Sequence, residues 1–203
     1  MNTQANGAIA DTLSPSDAAT APMIDLDAYC ARIGYDGPRK PTLATRSALH
    51  ARHPAAIPFE AIDVLLDRGI DLDPTAIDAK LIHRRRGGYC FEHNSLFKRV
   101  LTAMGFEVEG LVARVFWNRP AEAPMLPRTH MALRVRIDGQ QWLADVGFGG
   151  CVPTSPLNLE TTATQRTEHE AYRLLPSGGG HQLQVQIQGA WTPVYELSGE
   201  AQQ

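Results

Sequence analysis

The strongest constraint on this chain is a change of period at Gly105. Before it, apolar residues recur at helical spacing; after it, they alternate in short runs between turn residues. Upstream, DLDAYCARIGY sets Leu26, Tyr29, Cys30 and Ile33 on one face, and Gly34 and Gly37-Pro38 end the helix. A second helix is predicted over 42–53, stopping before Pro54. IPFEAIDVLL (57–66) is largely apolar and is expected in the core. DPTAIDAKLIHRR predicts a third helix with Asp73 as N-cap and Pro74 at its first position. A fourth runs from about Cys90 to Met104, its apolar face built from Phe91, Leu96, Phe97, Val100, Leu101 and Met104. Gly105 closes it.

Downstream, LVARVFW, HMALRVRI, QWLADVGF, YRLL, HQLQVQI and WTPVYEL read as strands of an antiparallel sheet or small barrel. A helical half before a β half is an α+β arrangement. The expected division is a disordered leader over 1–22, rich in Ala, Thr and Ser, then helices over 23–105, the β unit over 106–198 and a stub over 199–203.

Charge and cysteine content narrow the function. A net charge of -3 gives no electrostatic case for nucleic acid or an anionic membrane. No stretch approaches the roughly 20 apolar residues that span a bilayer. The three cysteines, Cys30, Cys90 and Cys151, form no CxxC pair. That argues against a disulfide framework or a zinc site and suits a reducing, cytoplasmic setting. His50 and His53 share a helix at a spacing that could ligate metal, but no third ligand is evident, so they are read as surface residues and no metal is expected. His83 and His93 are read as structural or surface residues.

Cys90 follows Gly87 and Gly88 at a helix start, where unpaired backbone N–H groups favour a thiolate. The alternative is a buried structural thiol, which is the reading given to Cys30 and Cys151. A second element is HMALRVRIDGQQWLADV. With Asp138-Gly139 as a two-residue turn, Ile137 faces Gln140, Val135 faces Trp142 and Leu133 faces Ala144. His130 and Asp145 then share the opposite face as diagonal neighbours, their Cβ atoms roughly 7–8 Å apart or less. An imidazole oriented by a carboxylate can take a thiol proton; a plain cross-strand ion pair is the bland alternative. DVGFGG (145–150) adds a glycine-rich loop displaying Phe148. Nothing in the spacing places Cys90 against this hairpin.

IPFEAIDV, RRGGYCFEHN, PRTH and LADVGFGG, in this order, resemble the arylamine N-acetyltransferase family. The resemblance spans about Asp25 to Leu197. It implies an N-terminal helical bundle followed by an antiparallel β-barrel, with a cysteine-protease-like triad at their junction. It implies Cys90 as the acetylated nucleophile, His130 as base and Asp145 as the orienting carboxylate. The co-substrate would be acetyl-CoA, and the acceptor an aromatic amine, hydrazine or N-hydroxyarylamine, in a ping-pong reaction. Phe148 and Gly149 fall in the loop near the thioester and acceptor. Trp117 and Thr129 fall where coenzyme A contacts are expected, and Phe59 of IPFE joins this contact set. Family members usually continue into a third domain; a chain ending at Gln203 is expected to lack it. On that expectation the alternatives are a short homologue with weak or hydrolytic activity, one completed by a second copy of the chain, or an amide synthase using the same triad.

Overall fold

The computed structural model describes residues 23–200 except 121, 123 and 126. The expected leader over 1–22 lies outside these residues. Helix α1 (Leu26–Ile33) is capped by Asp25, whose carboxylate accepts the Ala28 N–H at 2.9 Å. Gly34 closes it at φ 65, a left-handed conformation that costs glycine little.

Helix α2 (Leu43–Ala56) runs past its expected stop and contains Pro54. The proline lies in the last turn, so its missing N–H costs one bond, and Ile57 N–H to His53 O (2.8 Å) completes the turn. Its polar residues also sit where periodicity did not place them. His50 and His53, expected on the surface, are fully buried, as is Arg46. His50 Nε2 donates to the Asp145 carbonyl (2.9 Å) and Arg46 Nη2 to the Leu143 carbonyl (2.5 Å). The backbone of the sheet thus supplies the acceptors that let these side chains leave water.

The segment 57–66 also departs from expectation. Ile57 is buried, but Ile62 is 50% and Leu65 85% exposed. The short helix α3 (Ile62–Leu65) turns its acid inward instead: Asp63 meets Lys80 Nζ at 2.8 Å and Arg86 Nη2 at 2.9 Å. A charge pair shielded from water outcompetes burial of one apolar turn.

Helix α4 (Pro74–Ile77) has Asp73 as N-cap, as expected, and continues as a π-helix over Asp78–His83. The wider turn buries Lys80, Leu81 and Ile82 in succession. Helix α5 (Cys90–Ala103) buries Leu96, Phe97, Val100 and Leu101 completely. Each such side chain contributes about 1.5–3 kcal/mol by leaving water.

Among the described residues eight strands follow: β1 (Glu107–Val115), β2 (His130–Ile137), β3 (Gln140–Ala144), β4 (Leu157–Asn158), β5 (Gln165–Arg166), β6 (Ala171–Ser177), β7 (Gly180–Ile187) and β8 (Ala190–Leu197). They form one antiparallel sheet in the order β4-β3-β2-β1-β8-β7-β6-β5. Its edges approach closure through one side chain: the Gln165 amide accepts the Asn158 N–H at 2.7 Å and donates to the Asn158 carbonyl at 2.9 Å, like a strand partner. The result is a nearly closed barrel, as expected from the alternating runs.

The β2–β3 register matches the expectation: Leu133 pairs with Ala144, Val135 with Trp142 and Ile137 with Gln140. Asp138 and Gly139 both have positive φ, the type I′ geometry of a two-residue hairpin. Both faces of this hairpin are buried. Leu133, Val135 and Ile137 pack on the helices, whereas Ala132 and Leu143 join the barrel interior with Leu174, Leu183 and Tyr195. This shared strand pair holds the site against the helical unit.

Candidate active site

The turn before α5 is shaped by contact with the end of α2. Phe59 and Gly88 form a parallel bridge, with Glu60 N–H to Gly88 O at 2.9 Å and Gly88 N–H to Pro58 O at 3.2 Å. A Cβ on Gly87 would lie 2.2 Å from the Pro58 oxygen, so no larger residue fits there. Glu92, at the third position of α5, reaches back to the Tyr89 N–H (2.8 Å). Its carboxylate is 2% exposed and is held by Lys80 Nζ at 2.8 and 3.0 Å. Cys90 is therefore fixed in the first turn of α5, where the helix dipole favours negative charge.

His130 begins β2 and Asp145 follows β3. The hairpin register brings His130 Nε2 to Asp145 Oδ2 at 2.7 Å, both side chains almost wholly buried. Nε2 therefore carries the hydrogen, and Nδ1 is the nitrogen left for the thiol. The Cys90 S–H donates to the Thr129 carbonyl at 3.8 Å, immediately before His130 in the chain. The structure thus joins the helix and hairpin that spacing alone left separate.

Two residues absent from the sequence reading complete the site. Asn94, one helical turn after Cys90, donates from Nδ2 to Asp145 Oδ1 (3.0 Å) and the Met131 carbonyl (2.7 Å). Its Oδ1 accepts the Val146 N–H at 3.2 Å. The spacing of four from Cys90 was the available signal, because it puts both side chains on one helix face. Tyr195 of β8 packs against the His130 ring with centroids 5.1 Å apart, and Phe148 meets that ring edge-on, also at 5.1 Å. No local pattern marks Tyr195, since its contact depends on closure of the sheet.

Asp145 Oδ1 also accepts the Gly147 N–H at 3.0 Å. Burial pushes this carboxyl up, but His130 and these donors outweigh it and hold it below the usual carboxylate range. Burial likewise pushes the His130 imidazole down, but Asp145 and the neighbouring thiol raise it to about 9. A histidine raised in the folded state contributes stability below its unfolded value near 6.5, and this is lost as pH rises to about 9. The Asp145 contribution is present above about 3.8 and is lost in acid. Urea midpoints should therefore decline between about pH 6.5 and 9, and His130→Gln should flatten that decline. A wild-type midpoint that stays level across this interval would contradict the assignment.

His53 and His93 lie behind the turn as one buried chain. His93 Nε2 lies 3.2 Å from the Pro58 carbonyl, so it donates. His93 Nδ1 then accepts from His53 Nε2 (2.9 Å), and His53 Nδ1 accepts from the Tyr29 hydroxyl (2.9 Å). Both rings are neutral in this arrangement, in line with burial lowering both. The chain fixes Pro58, and Phe59 next to it stacks on His93 at 6.4 Å.

Phe59 is 42% exposed and lies against Gly149, where a Cβ would meet its ring at 3.3 Å. These two, with Pro54, Val146, Gly150 and Val152, line a cavity of about 250 Å³. Phe148 is half-buried. The Thr129 side chain is exposed, and half-buried Trp117 packs on the barrel core. A second cavity, of about 770 Å³, lies between Phe91 and Lys98 of α5, Met23 and Gly110, and includes none of Cys90, His130 and Asp145. Among the described residues no three His, Cys, Asp or Glu side chains gather as a metal-binding group. No helix there is long and apolar enough to cross a membrane.

The helical unit and the antiparallel barrel thus bring Cys90 to Thr129, next to the buried His130–Asp145 pair. The N-acetyltransferase family model matches residues 42–203. An arylamine N-acetyltransferase of Mycolicibacterium smegmatis is 47% identical over 180 residues, covering 87% of this chain and 66% of its own. An arylamine N-acetyltransferase / N-hydroxyarylamine O-acetyltransferase of Salmonella typhimurium is 46% identical over 170 residues, covering 84% and 60%. The structure of the Mycobacterium marinum arylamine N-acetyltransferase in complex with CoA superposes with a TM-score of 0.85 at 43% identity, covering 88% of this chain and 67% of that one. The chain belongs to the arylamine N-acetyltransferase family. It spans between 60% and 66% of the length of these two curated relatives.

Proposed function

We propose that this protein transfers an acetyl group from acetyl-CoA to an aromatic amine, hydrazine or N-hydroxyarylamine through an acetyl-cysteine at Cys90. The observation that carries this reading is the 2.7 Å His130–Asp145 pair beside a thiol in the first turn of a helix. His130 Nδ1 takes the thiol proton, and the sulfur attacks the thioester carbonyl. First-turn amides of α5 stabilise the oxyanion. Collapse expels coenzyme A thiolate, which recovers the proton from His130. The amine then attacks the acetyl-cysteine, His130 accepts its proton, and the Cys90 sulfur leaves and is reprotonated. Kinetics are ping-pong.

Phe59, Phe148 and Gly149 form the aromatic side of the acceptor site. Thr129 and Trp117 lie on the coenzyme A side. Three buried free thiols suit a reducing compartment, the cytoplasm. The test is mass spectrometry after incubation with acetyl-CoA alone. One acetyl group is expected, on the peptide carrying Cys90, and an arylamine should discharge it. No adduct, or an adduct on Cys30 or Cys151, would sink this reading.

A further inference from the structure

Tyr89 immediately precedes the nucleophile, and nothing in the mechanism above uses its side chain. Its position is closely determined. The backbone is extended (φ -83, ψ 164) and its N–H is tied to Glu92. Its ring lies between Phe59, centroids 6.3 Å apart, and Phe91, 6.0 Å apart. With backbone and ring held, the freedom that remains is rotation of the O–H bond. That hydroxyl donates to the Thr129 carbonyl at 3.3 Å, the same oxygen that receives the Cys90 S–H at 3.8 Å. Two donors, both long, thus converge on one acceptor. The Thr129 oxygen is itself fixed, because Thr129 N–H is bound to the Ala113 carbonyl at 3.0 Å.

This arrangement suits a thiol but not a thiolate. When the thiol proton passes to His130, the sulfur changes from donor to acceptor and faces a carbonyl oxygen that repels it. We propose that Tyr89 is then a catalytic residue: its O–H turns from the Thr129 carbonyl to the Cys90 sulfur and, with His130, holds the thiolate. No bond to carbon changes in this step; one proton moves from sulfur to Nδ1 and one hydrogen bond changes acceptor. The titratable groups facing the sulfur are His130 from β2, with Asp145 behind it, and Tyr89 itself. Glu92 on α5 is turned away to Lys80 and the Tyr89 amide. Burial, and then the neighbouring thiol, raise the Tyr89 phenol to about 12, so it stays protonated as a donor near neutrality. Their shared acceptor, the Thr129 carbonyl, sets the hydroxyl beside that thiol.

The inference rests on Cys90 as nucleophile, but its test needs no acetyl transfer. Thiolate absorbance is titrated in the wild type and in Tyr89→Phe, with Cys90→Ala as baseline. Burial raises the Cys30 and Cys151 thiols, the latter to about 11, and both remain in the Cys90→Ala baseline that is subtracted. A lost hydrogen bond to a charged group should move the midpoint up by about one pH unit. Alkylation of Cys90 by iodoacetamide below that midpoint should slow about tenfold. Near-UV circular dichroism verifies that the Phe variant keeps its packing. Superimposed titrations and equal alkylation rates in a folded Tyr89→Phe protein would overturn the proposal. If wild type formed no acetyl adduct, the functional reading would fail while these curves still decided the role of Tyr89.

Discussion

Cys90→Ala is expected to lose acetyl transfer by about 10⁴-fold or more, because covalent catalysis disappears with its nucleophile. Neither other thiol can replace it. Cys30 is 3% exposed on the inner face of α1, and burial raises its thiol. Cys151 is 6% exposed, and burial followed by the Glu170 charge lifts it to about 11. A thiol so raised is almost wholly protonated near neutrality and is a poor nucleophile. The fold should survive the change, since the Cys90 hydrogen bond to the Thr129 carbonyl is long, at 3.8 Å, and alanine keeps the helical backbone. The decisive measurement is release of free coenzyme A in the presence of an arylamine. Release by Cys90→Ala within tenfold of wild type would remove the cysteine from the mechanism.

Asp145→Asn should cost about 10⁴-fold in kcat through a tautomer change rather than through lost structure. The carboxylate accepts three hydrogen bonds: His130 Nε2 on Oδ2, and Asn94 Nδ2 and Gly147 N on Oδ1. An asparagine keeps one acceptor oxygen and presents an NH₂ group on the other side. If its oxygen serves the two donors, the NH₂ faces Nε2, and the imidazole must carry its hydrogen on Nδ1. That hydrogen would point at the thiol, and the ring could not take the proton. The reverse orientation confronts an NH₂ with two N–H donors in a fully buried site, which costs more. The expected result is a folded protein whose kcat collapses and whose Cys90 alkylation loses its His130-linked pH dependence. A variant retaining a tenth of the wild-type kcat would show that the carboxylate does not set the tautomer.

Much of this site was legible before any coordinates. The Asp138-Gly139 turn fixes a two-residue register, and a two-residue register dictates which side chains share a face. His130 and Asp145 could therefore be paired from spacing alone. The helical start at Asp73 was legible for a similar reason, because a cap is local chemistry. What escaped was nonlocal. Arg46, His50 and His53 look like a solvated helix face until the Leu143, Asp145 and Pro58 carbonyls that receive them or their partner His93 are in place. Ile62 and Leu65 look like core until Lys80 and Arg86 draw Asp63 inward and turn them out. Asn94 lay within reach of a helical-face reading, but its three partners come from the hairpin. A pattern of apolar residues reports which elements form. It does not report which buried polar groups find partners once those elements meet.

Cys90 and His130 also belong to different parts of the chain, α5 and β2. During synthesis α5 leaves the ribosome before β2 and β3 exist. Until the hairpin docks, Cys90 stands at the start of a helix with neither Thr129 nor His130 beside it. Asn94 is the latch: one side chain of α5 grips Met131, Asp145 and Val146 together. The geometry around Cys90 is thus completed only when the hairpin docks on α5.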